Sequence, residues 1–149
     1  MLSEDHMANT TEISGIEGIG HIAFRVADMQ KSLDFYCNVL GFKHAFTIKN
    51  EEGKPWIEYL KITGGQFLEL FYPRPGDPEK IAPKSTNNHI CLGVEDIHET
   101  GRVLESKGIE LVIPVRGREG SNWQCWCRDP DGNYVEFMYI HPDSFQAKA

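Results

Sequence analysis

The chain has 149 residues, of which 40% are hydrophobic and 11% aromatic, enough apolar side chain for one domain or two half-size modules with a shared core. Its 15 basic and 22 acidic residues leave a net charge of −7 without any basic run, which argues against nucleic acid or an anionic membrane as partner. Apolar runs are only strand-sized, the N-terminus lacks a signal-like pattern, and the four cysteines lack CxxC spacing, so we expect a cytoplasmic protein without a membrane span.

The first elements in chain order form a strand followed by a helix. Residues 1–14 are polar and lack periodicity, which predicts a flexible N-terminal tail. The first module is predicted at 15–72, where His21 begins an apolar strand that ends at Asp28, a favourable helix N-cap. A helical pattern then runs to Gly41. Three further strands are predicted at 43–49, 56–63 and 66–72.

A proline-rich segment at 73–87 is predicted to link this module to a second module at 88–141. In the second module His89 begins a strand that ends at Asp96, and a weaker helical pattern follows. Residues 142–149 are predicted to form a C-terminal tail. Strands of the second module are predicted at 110–116, 122–128 and 133–140.

The two halves have the pattern of a duplicated module. Four pairs of landmarks are separated by 67 or 68 residues, namely His21 and His89, Asp28 and Asp96, Gly41 and Gly108, and Glu69 and Glu136. A constant offset over four landmarks is hard to obtain by chance, so internal duplication is better supported than any single motif. The predicted fold class is therefore α+β, with two tandem βαβββ modules.

Each module places a histidine in its first strand and a glutamate in its last strand. Glu69 lies within "FLELFY" and Glu136 within "YVEFMY", where a buried carboxylate is costly unless a cation pairs with it. If the two faces converge, these glutamates together with His21 and His89 surround one divalent ion. Two nitrogen and two oxygen ligands suit Zn, Ni, Co, Mn or Fe(II). Any one of them alone is more often structural or solvent-facing, but their occurrence at equivalent positions favours the metal hypothesis.

Residues on the same strand faces are candidates for contact with a substrate. Arg25 shares the face of His21 and is either a surface residue or an anchor for a substrate carboxylate or phosphate. Phe71 shares the face of Glu69, and Met138 shares the face of Glu136, so both are predicted to line the substrate. The remaining histidines are predicted to be surface residues: His6, His44, His98 and His141.

The chain resembles the vicinal oxygen chelate superfamily, and within it the glyoxalase I type, over residues 18–140. The resemblance is carried by "GIGHIAFRVADMQKSLDFYCNVLGF", "FLELFY", "NNHICLGVED" and "RDPDGNYVEF". It implies the glyoxalase/bleomycin resistance/dioxygenase fold, in which paired modules form a cupped mixed sheet around one divalent metal ion. The implied metal ligands are His21, Glu69, His89 and Glu136. It also implies a small-molecule substrate and a homodimer, with the site within one chain or between two chains.

The resemblance also implies catalytic roles. The carboxylate matching Glu136 would act as the base that moves a proton between neighbouring carbons of a hemithioacetal, and Glu69 would be a ligand and a second acid or base. Arg25 matches a position that bacterial glyoxalases use near the glutamyl group of glutathione. Pro73 departs from the asparagine that such enzymes carry, which argues against glutathione as the co-substrate.

Three functions therefore compete at this point. The leading prediction is a divalent-metal-dependent lyase or isomerase of lactoylglutathione lyase type. Its rival is an epimerase of methylmalonyl-CoA type, whose relatives usually carry glutamine at the position of Glu69. A metal-free small-molecule-binding or resistance protein is the alternative from another class, although such relatives generally lose the ligand residues. Oxygen chemistry is disfavoured because Glu69 would fill a further metal position.

Overall fold

A computed structural model describes residues 13, 15–79 and 81–149 of the chain. Apart from Ile13, the N-terminal tail predicted at 1–14 lies outside the described residues. The first module consists of β1 (His21–Arg25), α1 (Met29–Leu33) with a π-helical continuation (Asp34–Val39), β2 (Lys43–Lys49), β3 (Pro55–Thr63) and β4 (Gln66–Phe71). The second module consists of β5 (His89–Gly93), α2 (Ile97–Ser106), β6 (Ile113–Arg116), β7 (Trp123–Arg128) and β8 (Tyr134–Tyr139), and a short helix α3 (Phe145–Lys148) follows it.

Each module forms one four-stranded open sheet with the same strand order. The first sheet has the order β1-β4-β3-β2, and the second has the order β5-β8-β7-β6. In both sheets the first strand of the module pairs in parallel with the last strand, whereas the other pairs are antiparallel. The prediction of two tandem βαβββ modules is thereby confirmed. This pairing is what brings the strand histidine beside the strand glutamate in each module.

The helices begin at the predicted caps. The Asp28 carboxylate accepts a hydrogen bond of 3.1 Å from the Lys31 N–H, and the Asp96 carboxylate accepts one of 2.9 Å from the Glu99 N–H. Caps of this kind contribute about 1 kcal/mol each. Beyond the first helix the chain turns at Gly41, whose φ of +82° is readily adopted only by glycine.

Several element boundaries differ from the predictions, and β1 and β5 already end at Arg25 and Gly93, before the predicted ends at Asp28 and Asp96. The first helix widens into a π-helical segment, where the N–H of Leu40 donates to the carbonyl of Phe35 at 3.0 Å. Hydrophobic periodicity does not separate this wider winding from an α-helix. The strand predicted at 110–116 begins only at Ile113, because residues 110–112 pair with no neighbouring strand.

One apolar core is shared by both modules. Side chains that are almost completely inaccessible to solvent come from both halves: Val26, Tyr36, Leu60, Leu68, Leu70, Cys125, Cys127 and Val135. Burying each large apolar side chain contributes about 1.5–3 kcal/mol. Because successive strand residues alternate between the two faces, the face of β4 that carries Leu68 and Leu70 packs into this core, and Glu69 lies on the opposite face.

Contacts between the modules run through the helices and through the turn at 129–133. The Tyr36 hydroxyl donates to the Asp129 carboxylate at 2.7 Å, and the Ala27 N–H donates to the Asp131 carboxylate at 2.9 Å. The Lys107 ammonium donates to the carbonyl of Asn38 at 2.8 Å. These bonds hold the core-facing sides of the modules together. Among the helices that the structure describes, none combines the length and apolar character that a membrane crossing requires.

Candidate metal-binding site

In the first module the histidine and the glutamate lie side by side. β1 and β4 are in register with Ala23 opposite Glu69, so the imidazole of His21 reaches the neighbouring carboxylate. His21 Nε2 is 3.4 Å from Glu69 Oε2. The glutamate is only 5% exposed, whereas half of the histidine side chain faces solvent. The result is a nearly buried carboxylate with one imidazole at its open side.

The second module repeats this pair with a shorter contact. His89 Nε2 is 2.9 Å from Glu136 Oε2, and Glu136 is 4% exposed. His89 Nδ1 is 2.7 Å from the carbonyl oxygen of Thr86, which only accepts hydrogen bonds, so Nδ1 carries a proton. The neutral form of this imidazole therefore directs the Nε2 lone pair at a carboxylate oxygen. Two acceptors at this distance require a proton or a cation between them, so the pair suits a metal ion.

An aromatic residue lies opposite each carboxylate on the neighbouring strand, a feature that the sequence analysis missed. Tyr59 is the cross-strand partner of Glu69, and Trp126 is the cross-strand partner of Glu136. The Trp126 ring lies 4.5 Å from the imidazole of His89, centroid to centroid, and the Tyr59 ring lies 6.3 Å from that of His21. The signal was available, because Tyr59 and Trp126 are 67 residues apart, the offset of the two glutamates.

The two pairs differ in one neighbour. Cys91 lies directly opposite Glu136, whereas the equivalent residue opposite Glu69 is Ala23. Desolvation of the Cys91 thiol, the negative charge of Glu136 and a hydrogen bond to that carboxylate raise the pKa of Cys91 to about 12. Glu136 therefore has a thiol donor that Glu69 lacks.

The structure forms each pair but does not bring the four side chains together within one chain. Ile22 and Phe24 of β1, and Ile90 and Leu92 of β5, pack with the shared core, so the intervening residues of both strands face away from it. Within residues 13, 15–79 and 81–149, no group of three or more His, Cys, Asp or Glu side chains is arranged to hold a metal ion. Each module thus presents one His–Glu pair on the face of its sheet that points away from the shared core.

The predicted substrate-contacting residues lie along the same faces. Arg25 donates from Nη2 to the carbonyl of Pro78 at 2.6 Å, and its Nη1 is 3.5 Å from an Asp77 carboxylate oxygen. Phe71 packs edge-on against another aromatic ring, and the sulfur of Met138 accepts a hydrogen bond of 3.3 Å from a side-chain amide. Arg25 is thus held by the segment that follows β4.

His44, which the sequence analysis placed on the surface, is half exposed but has a buried partner. Its Nε2 lies 2.6 Å from the carboxylate of Glu58, which also accepts hydrogen bonds from Thr47 at 2.6 Å and from Tyr72 at 2.9 Å. Burial acts to raise the pKa of Glu58, but the hydrogen bonds from Thr47, His44 and Tyr72 lower it below its ordinary value. Burial and Glu58 raise the pKa of Tyr72 to about 12. This cluster stands on the core-facing side of the sheet, away from Glu69.

Comparisons with known proteins agree with this architecture. The family model of the glyoxalase/bleomycin resistance protein/dioxygenase superfamily matches residues 18–137. A lactoylglutathione lyase of Haemophilus influenzae is 32% identical over 124 residues, which cover 79% of this chain and 89% of that protein. The crystal structure of a glyoxalase family protein from Enterococcus faecalis is 27% identical with a TM-score of 0.67, covering 83% of this chain and 98% of that one. An antibiotic binding protein from Streptomyces shares the fold at 18% identity, with a TM-score of 0.68 and coverage of 87% and 99%.

The matched region contains both His–Glu pairs and every strand of both modules except the last two residues of β8. Its strand order is the same in each half, as the resemblance to the vicinal oxygen chelate superfamily implied. The chain belongs to the glyoxalase/bleomycin resistance protein/dioxygenase superfamily.

Proposed function

We propose that the chain is a divalent-metal-dependent lyase or isomerase of lactoylglutathione lyase type, which moves a proton on a carbon next to a carbonyl or hydroxyl group. The observation that carries this proposal is the repeated His–Glu pair, with contacts of 3.4 and 2.9 Å and both carboxylates nearly buried. A purely structural role gives no reason for the same costly pair in both modules. The similarity to lactoylglutathione lyases supports the same reaction class.

The donor set fits one Zn, Ni, Co, Mn or Fe(II) ion. His21, Glu69, His89 and Glu136 would hold it, with two imidazole nitrogens and two carboxylate oxygens. The proton on His89 Nδ1 leaves Nε2 free to coordinate, as metal-bound histidines require. When bound, such an ion supplies Lewis acidity toward a carbonyl or hydroxyl oxygen.

We propose that a homodimer completes the site. Both His-bearing strands, β1 and β5, are edge strands of their sheets. The face of each sheet that carries the His–Glu pair, here called the ligand face, points away from the shared core. A second copy of the chain is able to pair with such an edge strand. It then places one of its own His–Glu pairs, here called a half-site, opposite a half-site of the first copy. With two-fold symmetry, the first module of one subunit faces the second module of its partner, which gives two equivalent sites per dimer.

Glu136 is proposed as the general base. The nearby imidazole, the thiol of Cys91 and the ring of Trp126 leave this carboxylate little freedom to reorient. A carboxylate held in this way abstracts a proton from one carbon and returns it to the neighbouring carbon. Glu69, in the equivalent place of the other module, is proposed as a ligand and as a second acid or base.

A second candidate reaction is an epimerisation of acyl-CoA type, which uses the same proton abstraction. Arg25 matches the position that glyoxalases use near glutathione, but here its guanidinium is already bound by Asp77 and Pro78. This favours a substrate other than a glutathione adduct.

We also propose a cytoplasmic location, because all four cysteines are free thiols and a reducing compartment keeps them so.

The decisive experiment combines metal analysis with two assays. Protein stripped of metal is loaded separately with Zn, Ni, Co, Mn or Fe(II), and each form is assayed for hemithioacetal isomerisation and for acyl-CoA epimerisation. We expect one ion per chain, activity that depends on the ion, and loss of both metal and activity in His21→Ala. A protein that binds no metal, or that turns over equally well without it, would contradict the proposal and would favour a metal-free binding protein.

A further inference from the structure

Arg25 stands at one end of the ligand face of the first module. It follows His21 by four residues on β1, so the two side chains share a face about 13 Å apart. Its cross-strand partner is Phe71, two residues beyond Glu69 on β4. Any substrate held at Glu69 and extending along this face therefore reaches the guanidinium of Arg25.

This end of the face, here called the Arg25 corner, is formed by Arg25, Arg74 and Asp77 and already contains a carboxylate of the chain itself. The same Asp77 oxygen lies 3.5 Å from Arg25 Nη1 and 3.6 Å from Arg74 Nη2. The other Asp77 oxygen accepts a hydrogen bond of 2.7 Å from the Arg74 N–H, and the Asp77 N–H donates to the Arg74 carbonyl at 3.0 Å. The side chain of Asp77 is only 17% exposed and that of Arg25 only 28%. The segment after β4 thus holds a fixed negative charge between two arginines.

A fixed carboxylate changes which groups bind at this corner. An incoming carboxylate gains attraction from Arg25 but meets repulsion from Asp77 at nearly the same distance, so these two effects largely cancel. The side chain of Arg74 is 66% exposed, so solvent screens its charge and it adds little attraction. Taking over the arginine would also break the 2.6 Å hydrogen bond from Arg25 to the Pro78 carbonyl. An uncharged substrate group is not repelled by Asp77 and does not need to displace the Pro78 carbonyl from the guanidinium of Arg25.

We propose that Asp77 is a specificity-determining residue that neutralises Arg25, so that this corner accepts a substrate group without negative charge and discriminates against a carboxylate. The inference rests on the proposed function, because it assigns the Arg25 end of the face to the substrate.

The test uses Asp77→Asn and two ligands with the same peptide backbone, one with free carboxylates and one with both carboxylates esterified. Asparagine keeps an oxygen that accepts from the Arg74 N–H but removes the negative charge. S-hexylglutathione carries the free carboxylates, and its diethyl ester carries none. Dissociation constants for both are measured by titration calorimetry on the protein with and without added Zn. Asp143→Asn is the matched control, since Asp143 forms an exposed pair with Lys148, 3.4 Å apart, in the C-terminal segment.

We expect the unaltered protein to bind the diethyl ester at least as tightly as the acid. Asp77→Asn should tighten binding of the acid about threefold to fivefold while changing that of the ester less than about twofold, as expected for one partly exposed ion pair. Adding Arg25→Gln to Asp77→Asn should remove this gain, because the guanidinium is then absent. Asp143→Asn should change neither constant.

The inference is overturned if Asp77→Asn leaves the acid-to-ester ratio unchanged or lowers the affinity for the acid, or if no protein binds either ligand. Failure of the proposed function gives a different result. In that case the hemithioacetals of methylglyoxal with glutathione and with its diethyl ester are not turned over by any variant, while the charge-dependent shift in binding is still measured.

Discussion

Tyr36 and Asp129 are 93 residues apart in the sequence, yet the buried phenol donates a 2.7 Å hydrogen bond to the carboxylate. The bond joins the π-helical segment of the first module to the turn between β7 and β8 of the second. Asp129 is itself 5% exposed, and the same carboxylate accepts from both the backbone and the side-chain amide of Asn133. This hydrogen bond helps to hold the two modules together, and their relative orientation sets the direction in which the two His–Glu pairs face.

We therefore expect Tyr36→Phe to lower the free energy of unfolding by about 1.5–3 kcal/mol, as for a hydrogen bond to a charged group in a buried place. Urea unfolding followed by circular dichroism measures the change. Tyr139→Phe is the matched control, since Tyr139 is a strand tyrosine whose ring packs against His141. Equal stability of the two variants would contradict a role for the Tyr36 hydroxyl.

Replacing the proposed base should separate chemistry from metal binding. Glu136→Gln retains an oxygen donor but no longer accepts a proton, so turnover should fall by about 10²–10⁴-fold. Elemental analysis should find most of the metal retained. Glu99→Gln, on the exposed face of α2, is the control and should keep full activity. Near-normal turnover of Glu136→Gln would exclude Glu136 as the base.

The proposed dimer predicts that two inactive variants complement each other. His21→Ala disables the first half-site, and His89→Ala disables the second. If each site joins the first module of one subunit to the second module of its partner, the mixed dimer contains one fully intact site. Equal mixing and reassortment should therefore restore about a quarter of the activity, from half of the dimers with half of their sites. A mixture that stays inactive after reassortment indicates sites formed within single chains.

The thiol of Cys91 should be unreactive despite its exposure. With its pKa raised to about 12, very little thiolate is present at pH 8, so alkylation by iodoacetamide in metal-free protein should be at least about tenfold slower than that of a cysteine peptide. Mass spectrometry of the modified peptide gives the rate. Glu136→Gln removes the neighbouring charge and should accelerate the reaction. Alkylation of the unaltered protein at the rate of the peptide would contradict the thiol–carboxylate hydrogen bond.

The buried Glu58 should make the stability of the fold decrease in acid. Hydrogen bonds lower the pKa of Glu58 in the folded protein below its ordinary value of 4.5. The contribution of the Glu58 carboxylate to the free energy of unfolding is therefore complete above about pH 4.5 and is lost as the pH falls through the folded pKa. Unfolding free energies measured from pH 7 to pH 3 should fall more steeply for the unaltered protein than for Glu58→Gln. Glu52→Gln, an exposed residue of the same module, should follow the unaltered protein. Parallel curves for all three proteins would contradict this expectation.

Much of the fold could be predicted from local patterns. Asp28 and Asp96 mark the helix starts, and the common offset between the modules predicts that the second half repeats the first. The π-helical segment after Leu33 could not be predicted, because its winding depends on packing and not on periodicity. The common offset relates Tyr59 to Trp126, but their positions opposite the two carboxylates could not be predicted, since register is decided by strand pairing.

The sequence by itself determined that two equivalent modules exist and that each carries one histidine and one glutamate on a strand face, because duplication and alternation are properties of the chain alone. Only the tertiary structure decided that Trp126 lies opposite Glu136, that Asp77 lies beside Arg25, and that the faces carrying the His–Glu pairs point away from the shared core. The physical reason is that these relationships join residues from different strands and loops. Such distances are set by sheet register and by packing of the core, and no local pattern encodes them.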